Sequence, residues 1–377
     1  MTVRPLTTGE RLWFLVACAL YAAVVIPIGI HRGGDFVQEL GQSERLIRGL
    51  PLYATNPEKG VYWPPFALGA LVPFALVARL SLTLAQALWA AFNVWCLGWS
   101  IAAIGRRWGW APALLAVASV AKPLQGNFEH QNITVVLLAL IVAATVDLHD
   151  GRPTRAGLWI GVATALKAFP GLLLVYLLAR RQWRGAAAGA VAAGALTLGA
   201  MARYGPTGAV ATAWRWLMVS RAAPIMQHFG TQPLGNTLAG VGLGTPAVIA
   251  IEIGIAVLIA VAVLAPRSED PQWAPYEVGL VTMLAVLITP IGWFYYHTLC
   301  VPAWVAAITH RPAENRNVWW RATLITAAVL LSGMLTFDHL YPDALAVLKR
   351  FNYVWGALLL LAALLTLSLA RFRHARD

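Results

Sequence analysis

Charge is what this sequence has least of. Only 12% of its 377 residues are Asp, Glu, Lys or Arg, about half the share a soluble domain carries. Apolar runs recur from end to end and leave no stretch for a sizeable soluble domain, so the chain reads as an all-α polytopic membrane protein. It has no glycine-rich turn between a strand and a helix, which argues against a Rossmann domain and a nucleotide-sugar donor. Nor is there an Asp-x-Asp in the first polar loop; Asp35 with Glu39 is a thin site for a hard cation, so no metal and no other cofactor is expected. Cysteine is equally sparse, and Cys18, Cys96 and Cys300 stand singly in apolar segments without metal-ligand spacing.

What charge there is leans positive, with 28 basic against 16 acidic residues. The basic residues fall in short groups between apolar runs, such as Arg106-Arg107, Arg152 with Arg155, Arg180-Arg181 with Arg184, and Arg371 with Arg373 and Arg376. That is the pattern of loops held near anionic lipid at the cytoplasmic face, and it argues against nucleic-acid binding. The apolar runs give about twelve candidate spans, near 12–30, 64–79, 84–105, 111–124, 131–148, 156–179, 185–202, 246–265, 276–291, 296–310, 321–336 and 351–370. The first, preceded by Arg4 and Arg11, reads as a retained span with its N-terminus in the cytoplasm. Simple alternation then puts Arg106-Arg107 and Arg152/Arg155 outside, against the positive-inside tendency. A break at Pro170 that splits 156–179 into two half-helices would repair this, given a compensating change near 64–79.

Four polar stretches fall on the face opposite the N-terminus: a first outer loop at 31–63, a second large one at 203–240, the break from Thr289 to His297, and 337–350. The chain is expected to form a single membrane domain over 1–377. In the first loop, residues 35–49 can make an amphipathic surface helix with Leu40, Ile47 and Leu50 as its apolar edge and Asp35 and Glu39 on one face. Asp35 follows an uncharged run at the point where a helix leaves lipid, so it can stay ionised beside water and still face a lipid-linked substrate.

The order of motifs resembles a known family. Gly-Asp after the first span is followed by Arg48-Gly49-Leu50-Pro51-Leu52-Tyr53 and by Tyr62-Trp63-Pro64-Pro65 opening the second. His130-Gln131-Asn132 starts a later span, then come Gly161 to Pro170 with Lys167, Arg180-Arg181-Gln182-Trp183-Arg184, and Thr289-Pro290-Ile291-Gly292-Trp293 before His297. Over roughly residues 12–310 this resembles the glycosyltransferase family 87 mannosyltransferases of the GT-C superfamily, which use polyprenyl-phosphate sugars. The sequence departs from the family's Gly-Gln-x-Asn at Glu129 to Asn132 and from its Ser-Pro-x-x-Trp at Thr289 to Trp293. The Asn-Gln-Ser element survives only as Gly235-Asn236-Thr237.

The resemblance implies transfer of a hexose, mannose first among them, from a polyprenyl phosphate to a lipid-linked or cell-envelope glycan at the outer face of a bacterial inner membrane. It makes Asp35 the catalytic base; the alternative is a helix N-cap for 36–49. A lipid phosphate leaves readily, so one carboxylate suffices, unlike the paired acids of glycosidases. His297 would lie near the donor phosphate, or be an ordinary helix-end histidine. Lys167 and Arg45 are candidate phosphate ligands, although Lys167 could reach water at a Pro170 break and Arg45 could snorkel to headgroups. His130, Gln131 and Asn132 could bind sugar or phosphate, or satisfy helix-end amides. Tyr62 could stack on a sugar or anchor at the interface. Transfer of arabinofuranose is a variant of the same reaction. A flippase of lipid-linked precursors is the reading from another class, and the absence of an internal repeat counts against it.

Overall fold

The computed structural model describes residues 6–53, 63–222, 232–265, 270–310, 317–333 and 350–374, and these are helices joined by turns, with no strand among the described residues. Among the described residues, three helices are long and apolar enough to cross a bilayer by themselves: Thr8–Arg32, Leu82–Trp108 and Thr245–Leu264. The protein is a multi-pass membrane protein. Many large apolar side chains of the first of these helices, among them Leu12, Trp13, Leu15 and Leu20, face outward, as lipid contact requires.

Helix α1 (Thr8–Arg32) starts in a capping box in which Thr7 accepts from the Glu10 N–H and Glu10 accepts from the Thr7 N–H. It ends at Gly33 and Gly34, both with positive φ, and the chain turns into α2 (Gly34–Arg48). The expected span at 64–79 is instead two short helices, α3 (Pro65–Ala70) and α4 (Val72–Ala78), separated at Leu71. Both ends of this pair return to α2: the Trp63 N–H donates to Glu39 at 3.0 Å, and Arg79 pairs with Glu44 at 3.0 Å. The segment therefore doubles back at one end of the bundle.

That return sets the direction of the next helices. Helix α5 (Leu82–Trp108) starts near α2 and ends at Arg107, which meets Asp150 at 2.6 Å. Helices α6 (Trp110–Ala118) and α7 (Ala121–Glu129) climb back to His130, and α8 (Thr134–His149) descends. Next, α9 (Pro153–Leu166) rises to Lys167, the 3-10 turn Phe169–Gly171 breaks it at Pro170, and α10 (Leu172–Ala179) comes down again. Helix α11 (Trp183–Ala200) then runs parallel to α9, because Gly157 lies against Gly185 and Gly161 against Gly189. With 64–79 doubled back and 153–179 a hairpin, Arg107 and Arg152 share the end that carries the start of α1. Arg152 binds Asp147 at 2.8 Å there, and the Phe14 ring packs on Trp110 at 5.7 Å.

The rest of the bundle comprises α12 (Gly205–Ala222), α13 (Leu234–Gly240), α14 (Thr245–Leu264), α15 (Ala274–Ile288), α16 (Val301–Thr309), α17 (Asn317–Ser332) and α18 (Asn352–His374). Helices α17 and α18 run antiparallel, tied by Asn352 to the Leu330 carbonyl at 3.1 Å and by Trp320 to the Ala363 carbonyl at 3.3 Å.

A Cβ on Gly161 would overlap the Gly189 carbonyl, whereas one on Gly194, also in α11, meets nothing within 4 Å. Gly161→Val should destabilise the protein by about 1–3 kcal/mol or more through overpacking. Gly194→Ala should leave it unchanged or stabilise it by up to about 1 kcal/mol through helix propensity. Thermal unfolding of the two detergent-purified variants checks the pair.

Candidate functional site

Asp35 is the second residue of α2 and does not cap it. The cap position is Gly33, with no side-chain cap; this sets aside the N-cap alternative, because the helix begins before Asp35 and its carboxylate faces other elements. Asp35 Oδ2 accepts from Asn132 Nδ2 at 2.5 Å and from the Tyr295 hydroxyl at 2.8 Å. Its backbone N–H donates to the His130 carbonyl at 2.8 Å. That last contact needs Gly34, whose φ is +51° and whose Cβ, if it had one, would lie inside the His130 backbone. Asn132 Oδ1 accepts from the Thr134 N–H at 3.2 Å and hydroxyl at 2.8 Å, which turns its amide nitrogen toward Asp35. Asp35 is partly exposed, and among the described residues no group bonds its Oδ1.

One turn along α2, Glu39 points inward. It is 2% exposed, on the face that also buries Phe36, Leu40 and Leu46. Asp35 and Glu39 thus share a face as expected, but Glu39's side of it is turned into the protein, while Leu50, expected on the apolar edge, is exposed. Glu39 Oε1 accepts the Trp63 N–H at 3.0 Å, and Oε2 has no partner among the described residues. Burial pushes its pKa up to about 8, against the pull of Lys167 and the Trp63 N–H and with a further push from Asp35. Lys167 Nζ lies 5.6 Å from the Trp63 ring and 5.9 Å from the Tyr296 ring. Among the described residues no carboxylate forms an ion pair with it. Burial thus biases Glu39 toward its neutral form beside the Lys167 ammonium.

The remaining predicted residues divide. The His130 ring, half-buried, packs on Tyr295 at 5.7 Å and Phe294 at 6.2 Å beside Asp35, and burial lowers its pKa. Gln131 is fully engaged with α5: its side chain exchanges hydrogen bonds with Gln86 at 3.3 and 3.5 Å, and its carbonyl accepts from Trp89 at 2.9 Å. Arg45 donates twice to the Pro51 carbonyl, at 3.0 and 2.8 Å, and fastens the loop after α2. His297 is 1% exposed, its ring lies 6.2 Å from Tyr353, and its Nδ1 has no partner among the described residues. Tyr62 lies outside the described residues. No group of three His, Cys, Asp or Glu able to hold a metal ion occurs among the described residues.

The structure thus brings Asp35, Asn132, His130 and Lys167 to one end of the bundle and turns Gln131 and Arg45 to local tasks. Tyr295, two residues before His297, joins the site without any signal in the sequence that marks it. The same holds for the burial of Glu39 and for the contacts of Trp63 with Glu39 and Lys167.

Glu39 supplies a test. A carboxyl whose folded pKa is raised gives stability that is complete below its ordinary value of 4.5 and lost as pH rises through about 8. Thermal unfolding between pH 5 and 9 should show this decline in the wild type and a flatter profile in Glu39→Gln. Parallel profiles would mean that Glu39 is ionised throughout.

Comparison with known proteins bears on this geometry. The family model described as Glycosyltransferase family 87 matches residues 62–290. The chain is 28% identical over 387 aligned positions to a polyprenol-phosphate-mannose-dependent alpha-(1-2)-phosphatidylinositol mannoside mannosyltransferase of Mycolicibacterium smegmatis, covering 88% of this chain and 83% of that protein. It is 24% identical over 355 positions to an alpha-(1->3)-arabinofuranosyltransferase of Corynebacterium glutamicum, covering 86% and 79%. Among solved structures it is similar to ArnT from Cupriavidus metallidurans bound to undecaprenyl phosphate, with 17% identity, a TM-score of 0.45, and coverage of 97% of this chain and 78% of that one.

Proposed function

The chain belongs to glycosyltransferase family 87, and from that premise we propose that it moves mannose from a polyprenyl phosphate to a hydroxyl of a lipid-linked or cell-envelope glycan, with Asp35 as the base. One observation carries the reading: Oδ2 of Asp35 is pinned by Asn132 and Tyr295 at 2.5 and 2.8 Å, which leaves Oδ1 for a hydroxyl. Two donors on one oxygen fix the carboxylate's plane without closing its other lone pairs. The acceptor oxygen attacks the anomeric carbon as its proton passes to Oδ1. The new C–O bond forms while the bond to phosphate breaks, and the electron pair leaves on the polyprenyl phosphate. That leaving group needs a cation rather than an acid, and Lys167 supplies it, one turn of α2 away beside the neutral Glu39. His130 flanks the acceptor side of Asp35.

The site lies at the end of the bundle opposite Arg107 and Arg152. Basic loops are held at the cytoplasmic side, so the reading places the enzyme in a bacterial inner membrane with the site on the periplasmic or exterior face, as one domain over 1–377 with outer loops at 31–63 and 203–240. Family membership replaces the flippase reading. Arabinofuranose transfer, the activity named for the Corynebacterium relative, is the second reading, and donor competition separates the two sugars.

The experiment is transfer from radiolabelled polyprenyl-phosphate-mannose to extracted envelope lipids by reconstituted enzyme. Asp35→Asn should abolish transfer yet still bind donor; wild-type rates in that variant would overturn the base assignment. Tyr295→Phe and Asn132→Ala each remove a hydrogen bond to a charged group, about 1.5–3 kcal/mol, and should lower kcat by roughly ten- to a hundredfold. Lys167→Gln should instead raise the KM for the donor.

A further inference from the structure

Cations at this end of the bundle are held in two different ways. Arg32 and Lys122 are bound by the buried carboxylate of Glu129, at 2.9 and 3.2 Å, and with Asp35 close by that group is balanced in charge. Lys167 has no ion-pair partner among the described residues. Two aromatic rings place it instead, Trp63 at 5.6 Å and Tyr296 at 5.9 Å from its ammonium. A carboxylate would fix the ammonium and also occupy it, whereas a ring fixes it and leaves its N–H groups for another acceptor.

Tyr296 meets this segment twice. The Phe169 ring, two residues beyond Lys167, packs on it at 5.1 Å, and its hydroxyl lies within electrostatic reach of Lys167, Asp35 and Glu39. Lys167 is where α9 ends, its backbone extended with φ −151° and ψ +133°, so no further helical turn steadies the side chain. Trp63 is itself held by its N–H on Glu39 at 3.0 Å and by the Trp89 ring at 6.2 Å.

The neighbour of Tyr296 serves the other reacting group. Tyr295 and Tyr296 are consecutive in the 3-10 turn Phe294–Cys300, and both are buried. Tyr295 donates to Asp35 at 2.8 Å. The two rings meet edge to face, 5.2 Å apart with 79° between their planes, so one reaches the base and the other the cation. Consecutive Cα atoms are about 3.8 Å apart, and the dipeptide therefore acts as a gauge between Asp35 and Lys167. Transfer needs that gauge, because the incoming hydroxyl and the leaving phosphate meet at one anomeric carbon, and a misplacement of about 1 Å costs on the order of a hundredfold.

We propose that Tyr296 is a positioning residue for the donor phosphate: it holds the Lys167 ammonium at a set distance from Asp35, so that consecutive tyrosines aim the two halves of the reaction, Tyr295 the base and Tyr296 the cation. The proposal rests on the reading above in which Lys167 meets the leaving phosphate. Tyr296 acts through the lysine and touches neither substrate.

The two tyrosines should then fail differently. With polyprenyl-phosphate-mannose as donor and saturating acceptor, Tyr296→Phe should raise the donor KM about three- to tenfold and leave kcat within about twofold. Tyr296→Leu, which loses the ring as well, should raise it more than about tenfold. Tyr295→Phe should lower kcat at an unchanged donor KM. In a Lys167→Gln background neither Tyr296 variant should add to the loss, since residues that act as one unit are not additive.

Binding without turnover separates this role from a merely structural one. Undecaprenyl phosphate and the neutral undecaprenol are each titrated into the reconstituted full chain, followed by tryptophan fluorescence. The wild type should prefer the phosphate by about tenfold or more; Tyr296→Leu should lose most of that preference and bind the alcohol as the wild type does. Weaker binding of both lipids at an unchanged ratio is the mark of a loosened fold and overturns the proposal, as does a fall in kcat at constant donor KM in Tyr296→Phe. If Lys167→Gln loses the preference and both Tyr296 variants keep it, the positioning role alone is wrong. If Lys167→Gln keeps it, the reading of Lys167 falls and the proposal with it.

Discussion

The hydrogen bond from the Asp35 N–H to the His130 carbonyl is the constraint on which the site depends. It joins the start of α2 to the turn between α7 and α8, and it forms only because Gly34 has no side chain to hold the backbones apart. With that contact made, Asn132 is two residues from the pinned carbonyl and its amide meets Asp35 without further adjustment. Gln131 pays for the tight turn with a φ of +46°, and its bonds to Gln86 and Trp89 hold it there. Residues away from the carboxylate therefore set where Asp35 points.

The doubled-back α3–α4 segment has a parallel role for the other half of the site. By returning to α2 it places Trp63 against Glu39 and Lys167, and it leaves a buried carboxyl oxygen without a partner among the described residues, near an ammonium. Desolvation acts on this pair by raising the pKa of the carboxyl and so favouring its neutral form. Among the described residues, the Lys167 ammonium therefore sits near Asp35 without a direct ion pair.

Much of this was legible in the sequence, and the limits have physical causes. Composition and the length of the apolar runs identified a helical membrane protein, because few backbones survive in lipid. The helix over 35–49 was readable from its periodicity, and α2 spans Gly34–Arg48. The break at Pro170 was readable too, since proline leaves a carbonyl unbonded. Alternation failed at 64–79, because an apolar run of span length says nothing of whether its ends return to the same place. Asp35 stood out by position. Asn132 was picked with two neighbours of which one serves packing, and nothing in the order of types His-Gln-Asn distinguishes them. Tyr295 could not be singled out within Trp-Phe-Tyr-Tyr-His, where the choice depends on which ring the 3-10 turn Phe294–Cys300 brings to Asp35. Glu39 and Glu129 shared one difficulty: burial of an acidic residue is decided by distant segments, and sequence spacing carries no trace of it.

The bond between Asp35 and Tyr295 spans 260 residues of chain. During synthesis α1 and α2 emerge first, and the carboxylate they carry acquires its second anchor only after three-quarters of the protein has been made and packed. Until then Asn132 is the one described side chain that can bond the carboxylate, and one donor leaves its plane free to turn. The last anchor of the carboxylate is thus also among the last parts of the bundle to be synthesised.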